Sequence, residues 1–207
     1  GLMQGLGRIV FADGSVFEGE FADDLRQGRG RLQQADGHVY VGAFTLDRIE
    51  AEGGLTHPDG SRYEGAFRDG LPHGQGTIAF ADGTGYAGAW VEGRIDGRGR
   101  ARLADGLIYE GEFRAGQPHG EGRMEYPDGR VYEGGFEAGV REGRGVMPWP
   151  DGSRYEGDFA RGERDGVGEI VMADGFRYAG QWRAGRIEGR GIATYRGGDV
   201  FEGDFVD

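Results

Sequence analysis

Along this chain apolar and polar positions alternate in short runs, and the runs recur at a fixed interval. Aromatic residues stand at Phe17, Tyr40, Tyr63, Tyr86, Tyr109, Tyr132, Tyr155, Tyr178 and Phe201, each 23 residues after the last. Four residues further on, a second row reads Phe21, Phe44, Phe67, Trp90, Phe113, Phe136, Phe159, Trp182 and Phe205, with a glycine midway in every pair. An aromatic–x–glycine–x–aromatic unit has period two, which puts both rings and the glycine on one face of a strand. The second half of the period behaves likewise. Gly74, Gly76, Ile78 and Phe80 share the ring face, while Gln75 and Thr77 lie opposite, beside Glu64 and Ala66. Helix is disfavoured, because each interior glycine would cost ~1 kcal/mol relative to alanine.

Asp-Gly recurs at the same interval, from Asp13-Gly14 to Asp174-Gly175. It is a strong turn signal, since glycine supplies the positive φ such turns require. A second turn is expected over 69–74. Each period is then strand, turn, strand, turn. The fold class is all-β: an elongated, single-layer antiparallel meander of repeated hairpins, with residues 1–207 forming one array of nine periods and half-repeats at both ends. Glycine beside a ring leaves a slot where that ring can lie flat on backbone, as in the aromatic rescue of strand glycines. A lone hairpin is marginal in water, so stability must come from stacking successive units.

The unit Tyr63-Glu64-Gly65-Ala66-Phe67-Arg68-Asp69-Gly70-Leu71-Pro72-His73-Gly74-Gln75-Gly76, followed by Asp82-Gly83, resembles the MORN (membrane occupation and recognition nexus) repeat. The fit is close again from Tyr109 to Phe113 and from Pro118 to Gly122, and the resemblance covers the whole chain. It implies an array of antiparallel hairpins with an aromatic-lined groove. It also implies the family's typical roles: scaffolds and adaptors, cytoskeletal or membrane-associated assemblies, or targeting modules attached to enzymes. Residues 24–57 depart from the pattern. Asp24 and Asp47 replace a turn glycine, Ala51 a strand glycine, and Gln34 and His57 stand at ring positions, so irregular structure is expected there.

Composition narrows the field. Glycine supplies 46 residues without a G-X-Y period, which excludes collagen, and 12% aromatic residues are too many for a disordered linker. There is no cysteine, hence no disulfide, thiolate site or thiol nucleophile. Net charge is −12 and every basic residue is arginine. So acidic a chain repels nucleic acid, and the same argument disfavours anionic lipid. No apolar run approaches the ~18 residues of a membrane helix, no signal peptide is visible, and no localisation follows.

No catalytic constellation emerges. Without lysine there is no Walker A sequence, and no strand–G-x-G-x-x-G–helix context supports a dinucleotide site. Glu110 and Glu112 recur with the repeat on the polar face and read as solvated positions, since catalytic carboxylates need a pocket that separates their pKa values. His73 and His119 share a turn position and lack the further ligands a metal site requires. The Asp-Gly turns lack EF-hand spacing. No enzyme activity, cofactor or metal is therefore assigned.

The aromatic stripe carries two readings, core and groove. As a groove it offers partly exposed apolar surface to a protein or peptide partner, best along Tyr86, Trp90, Tyr109, Phe113, Tyr132, Phe136, Trp149, Tyr155, Phe159, Tyr178 and Trp182. The expected function is a non-catalytic scaffold or adaptor that binds proteins through this groove and can self-associate. Unpaired strand edges at the two ends would allow a homodimer or head-to-tail pairing. The alternatives are a targeting or oligomerisation module of a larger enzyme, or a membrane-associated lipid-binding module.

Overall fold

The structure, a computed structural model, describes residues 1–206. They cluster into two compact units that divide after Arg102. The first unit is a meander of nine strands: β1 Gly5–Val10, β2 Val16–Ala22, β3 Leu25–Gln33, β4 Val39–Thr45, β5 Arg48–Thr56, β6 Arg62–Arg68, β7 Leu71–Ala79, β8 Gly85–Val91 and β9 Arg94–Arg102. The second opens with a single 3-10 turn, Ala104–Gly106. Nine more strands follow: β10 Ile108–Arg114, β11 Gln117–Glu125, β12 Val131–Glu137, β13 Val140–Pro148, β14 Arg154–Ala160, β15 Glu163–Val171, β16 Arg177–Arg183, β17 Arg186–Thr194 and β18 Val200–Phe205. Within each unit, every strand pairs antiparallel with its sequence neighbour, as the period-two pattern requires.

Two kinds of turn alternate. At Asp-Gly the chain makes a three-residue turn: the Gly60 N–H donates to the His57 carbonyl at 2.9 Å, and the His57 N–H to the Ser61 carbonyl at 2.9 Å. Only Gly60 has positive φ, 87°. Pro58 stands at the position where a fixed φ near −65° helps a type I turn. The aspartate braces the far side of the turn: Asp59 Oδ1 accepts from the Ser61 backbone N–H at 2.8 Å and its hydroxyl at 2.7 Å. These two bonds, the hydroxyl's first, hold the carboxyl below the usual aspartate range.

The other turn is shorter than expected. Arg68 pairs directly with Leu71, leaving Asp69 and Gly70 as a two-residue turn with φ of 49° and 79°. Positive φ at both central residues is the type I′ signature, whose twist matches that of the strands. Leu71-Pro72-His73 therefore belongs to β7 and not to the turn. The surplus residues go into a bulge: Gly65 faces Gly76 and Phe67 faces Pro72, so Ala66 alone opposes His73, Gly74 and Gln75. Gly74 has φ 82° to make the bend.

The departures at 24–57 leave the register intact. Asp24 and Asp47 adopt φ of 68° and 69° in their type I′ turns, and Ala51 takes 63° at the bulge. Aspartate tolerates left-handed backbone because its short side chain can bond locally. Asp47 does so across repeats, accepting from the Arg26 backbone N–H at 2.8 Å. β3, β4 and β5 pair as regularly as the rest.

The strand glycines are required by contact. A Cβ on Gly111 would lie 2.5 Å from the Tyr109 hydroxyl, 2.6 Å from the Gly122 Cα and 2.7 Å from the Glu121 carbonyl oxygen. Backbone on one side and a buried ring on the other cannot both retreat. Gly111→Val is expected to destabilise unit 2 by about 1–3 kcal/mol, as overpacking does. Glu112→Gln should shift stability by less than about 0.5 kcal/mol, the usual range for a surface site; Gln181 already occupies that position in a later repeat. Equal shifts in denaturant midpoint for the two variants would overturn this assignment of faces.

Candidate functional site

The aromatic rows form a continuous ladder of edge-to-face contacts within each unit. Each ladder tyrosine meets the ring four residues on and, where that ring lies in the same unit, the ring 27 residues on. Tyr109 lies 5.0 Å from Phe113 and 4.9 Å from Phe136, Tyr132 is 5.1 Å from Phe136 and 4.9 Å from Phe159, and Tyr155 is 5.2 Å from both Phe159 and Trp182. Such geometry suits the ring quadrupoles and adds to area burial. In unit 1 the same ladder joins Phe17, Phe44, Tyr40, Phe67, Tyr63 and Trp90.

Each tyrosine ring lies flat over the glycine two residues ahead and that glycine's cross-strand partner; the ring of Tyr63 covers Gly65 and Gly76. Its hydroxyl then reaches the bulge. Tyr63 donates to the Ala66 carbonyl at 2.9 Å, Tyr109 to Glu112 at 2.9 Å, Tyr132 to Gly135 at 3.0 Å and Tyr178 to Gln181 at 2.8 Å. The bulge removes that carbonyl from the ladder of strand bonds, and the hydroxyl satisfies it. Trp90 and Trp182 add an indole N–H bond at 3.1 Å to the carbonyls of Gly76 and Gly168.

A further column closes over the rings from the bulged strands. Arg26 lies 5.7 Å from the Phe17 centroid and 5.3 Å from that of Phe44, Arg141 lies 5.4 Å from Phe159, and Arg164 lies 4.3 Å from Trp182. Ile49, Pro72, Ile95, Pro118 and Ile187 take this position elsewhere. The arginines also reach the next repeat: Arg26 donates to the Asp47 carbonyl and Arg164 to the Gly185 carbonyl, both at 2.8 Å. Burial pushes the Arg164 guanidinium below its ordinary pKa. Backbone ties run in parallel, Gly70 N–H to Ile49, Gly93 to Pro72 and Gly162 to Arg141, at 2.8–3.0 Å. Beside them a polar side chain accepts the first turn N–H of the following repeat. Glu50 does so for Asp69, Glu142 for Arg161, and Asp165 for Ala184. His73 belongs to this set: its Nδ1 accepts from the Glu92 N–H at 3.4 Å. Among the described residues no group of three or more His, Asp or Glu could hold a metal ion.

Ten of the eleven residues read from the sequence as a groove are therefore buried in or beside the ladder. Tyr109, Tyr132, Tyr155 and Tyr178 are 0% exposed, and Trp90 at 7% is the most accessible of the ten. The eleventh, Trp149, is half-buried and belongs to another row. It closes an Asp-Gly turn, its N–H donating to the Ser153 carbonyl at 2.9 Å. Tyr126, Met172 and Tyr195 occupy the same position in neighbouring repeats of unit 2; Met172 and Tyr195 are 38% and 47% exposed. Phe176, four residues past Met172, packs on Tyr195 at 5.7 Å. Of this row, sequence reasoning singles out Trp149 alone. The 23-residue spacing of these side chains is the available signal, obscured because Gln34, His57, Leu103 and Met172 break the run of rings. On the polar face, unit 1 carries an open trough of about 800 Å³ between Glu18, Arg31, Val41, Gly54 and Glu64.

Comparison with known families is decisive at this point. The MORN repeat family model matches residues 1–16, 17–39, 63–85, 86–108, 109–129, 132–154, 155–177 and 178–200. The chain belongs to the MORN repeat family. The one whole period skipped by these matches, residues 40–62, is the one holding Asp47, Ala51 and His57, and it folds like its MORN neighbours. Among solved structures, the wild-type TCP10 domain of CPAP from Danio rerio is similar with a TM-score of 0.54 at 15% identity, over 94% of this chain and 91% of that one. The TCP domain of SAS-4 (dCPAP) from Drosophila melanogaster, in complex with a proline-rich motif of Ana2 (dSTIL), gives 0.47 at 12% identity, over 86% and 90%. The first likeness is one of fold. A search of curated proteins gave no match.

The buried phenols make a pH prediction. Burial pushes Tyr40, Tyr63, Tyr109 and Tyr155 up to about 12 and raises Tyr86, Tyr132 and Tyr178 as well. A folded pKa above the unfolded value of about 10 favours the neutral, folded form. That stability is whole below pH ~10 and is lost as pH rises through ~12. Far-UV circular dichroism and 295 nm absorbance should show unfolding and tyrosinate formation together in that window. Tyr109→Phe should cost about 1 kcal/mol at neutral pH, because the Glu112 carbonyl loses its donor. Ionisation of these tyrosines with the sheet intact would contradict this account.

Proposed function

We propose that this MORN-repeat chain is a non-catalytic scaffold that binds protein partners on the ring side of its sheets. The observation that carries the reading is the accessible row of unit 2. Tyr126, Trp149, Met172 and Tyr195 recur at one-repeat spacing beside a buried ladder that holds them in place. Large side chains repeated along one edge offer evenly spaced contacts, and aromatic anchors on rigid support dominate interface energies. The ladder rings named in the sequence set the shape beneath this row. Trp149 is the member of that set a partner can reach.

Photo-reactive phenylalanine analogues placed at Met172 and Tyr195 should capture protein partners in cells, while the same group at Val167 on the polar face should not. Trp149→Ala should weaken capture with little change in melting temperature. Trp90→Ala, which opens the ladder, should destabilise its unit by about 3–5 kcal/mol. Capture only from Val167, or from none of the three sites, would refute partner binding at the ring side.

A further inference from the structure

The accessible row of unit 2 has a period, and the period points to a ligand conformation. Successive repeats are two strands apart, so Tyr126, Trp149, Met172 and Tyr195 advance by ~9.6 Å per step at ~4.8 Å per strand. A polyproline II helix has three residues per turn and rises ~3.1 Å per residue, so it repeats every ~9.3 Å. A helix lying across the strands thus presents the same face to each repeat in turn. Neither an extended strand, which repeats at ~6.8 Å, nor an α-helix at ~5.4 Å matches the row.

The chemistry along the row agrees. Polyproline II has no internal hydrogen bonds, so its carbonyls need outside donors. The Trp149 indole N–H and the Tyr126 and Tyr195 hydroxyls donate to no protein group among the described residues; the Trp149 and Tyr195 rings suit a pyrrolidine, while the Tyr126 ring is already faced by Arg130 at 5.0 Å. Between Trp149 and Met172 the side chain at the intervening position is the small, buried Ser153, whose hydroxyl is already bound by the Ala173 N–H at 3.1 Å. Ser153 is thus a small side chain between two larger ones. Beyond Met172, Phe176 and Tyr195 form a tilted ring pair, 5.7 Å apart at 57°. A second feature repeats in step: Asp151 and Asp174 stand in successive turns beside the row, on a chain of net charge −12, whereas Asp128 one turn earlier is already paired with Arg130 at 2.7 Å. A complementary ligand therefore carries cations at the same three-residue interval.

We propose that this row binds a basic, proline-rich segment in the polyproline II conformation, laid across the strands with one ligand turn per repeat. The proposal rests on partner binding at the ring side and specifies the partner's chemistry.

The test uses the full chain with Trp90→Phe and Trp182→Phe, phenylalanine being the residue at that position in every other repeat, so that Trp149 is the sole indole. The probes are synthetic (Pro-Pro-Arg)4, (Gly-Gly-Arg)4 and (Pro-Pro-Glu)4 peptides at low ionic strength. The proline–arginine peptide should shift Trp149 emission to the blue and saturate. The flexible arginine peptide should bind at least about tenfold more weakly, and the acidic peptide should give no shift. Met172→Ser and Tyr195→Ser should each weaken (Pro-Pro-Arg)4 binding by about tenfold with unchanged melting temperature. Equal binding of the two arginine peptides would reduce the effect to charge and overturn the proposal, as would indifference to both serine variants. Should the photo-reactive sites at Met172 and Tyr195 capture partners while the proline–arginine peptide gives no shift, the ligand chemistry is wrong and the binding face stands. Failure of both removes the face as well.

Discussion

A tyrosine ring pressed flat on two paired glycines, with its hydroxyl on the carbonyl of the adjacent bulge, is the contact from which the rest of this structure follows. The glycines are demanded by the ring: a Cβ on Gly122 would lie 2.5 Å from Cε2 and Cζ of Tyr109. The bulge carbonyl has left the strand ladder and in the tyrosine repeats the hydroxyl satisfies it, although the bulge itself also forms where Phe17 supplies the ring. The bulge sends Arg26, Pro118 or Arg164 across the outer side of the rings. A single layer of sheet thereby buries an aromatic core that would otherwise need a second layer. Ring, glycine and bulge recur together in every repeat as one device.

The fold was largely legible because this device leaves a mark at every period. Strand faces, the Asp-Gly turns and the hairpin meander all followed from period-two alternation and a 23-residue interval. Two local features were not legible. The second turn is expected over 69–74, whereas Asp69-Gly70 alone turns the chain and Gly74 makes a bulge; turn and bulge both call for positive φ, and glycine marks them identically. Irregularity is expected at 24–57, yet Asp24, Asp47 and Ala51 accept left-handed backbone once neighbouring repeats hold it in place. Tertiary ties such as the Asp47 carboxylate on the Arg26 N–H override the local preference for glycine.

The candidate site was legible only in part, and for a physical reason. Nothing in Tyr109-Glu110-Gly111-Glu112-Phe113 states which residues lie over the rings, because the covering residue comes from beyond the next turn and varies among arginine, isoleucine and proline. Sequence spacing finds the aromatic rows and cannot say which row reaches solvent. Trp149 stands out by size, whereas Met172 breaks the run of rings that Tyr126 and Tyr195 share with it. Exposure here is a property of the layers above a residue.

The ties between repeats run at constant offsets: 27 residues for ring on ring, 21 for the carbonyl of the covering residue to the turn, 19 for side-chain acceptor to turn. None of these ties reaches past the adjacent period, so through them each repeat recognises its immediate neighbours. Array length is then a free variable for evolution or engineering. A duplication of 23 residues inserts a repeat whose every contact already exists in the parent, while an insertion of one residue sends rings to the polar face of the strand that receives it. The fold thus selects among length changes by arithmetic, admitting multiples of one number and rejecting the rest.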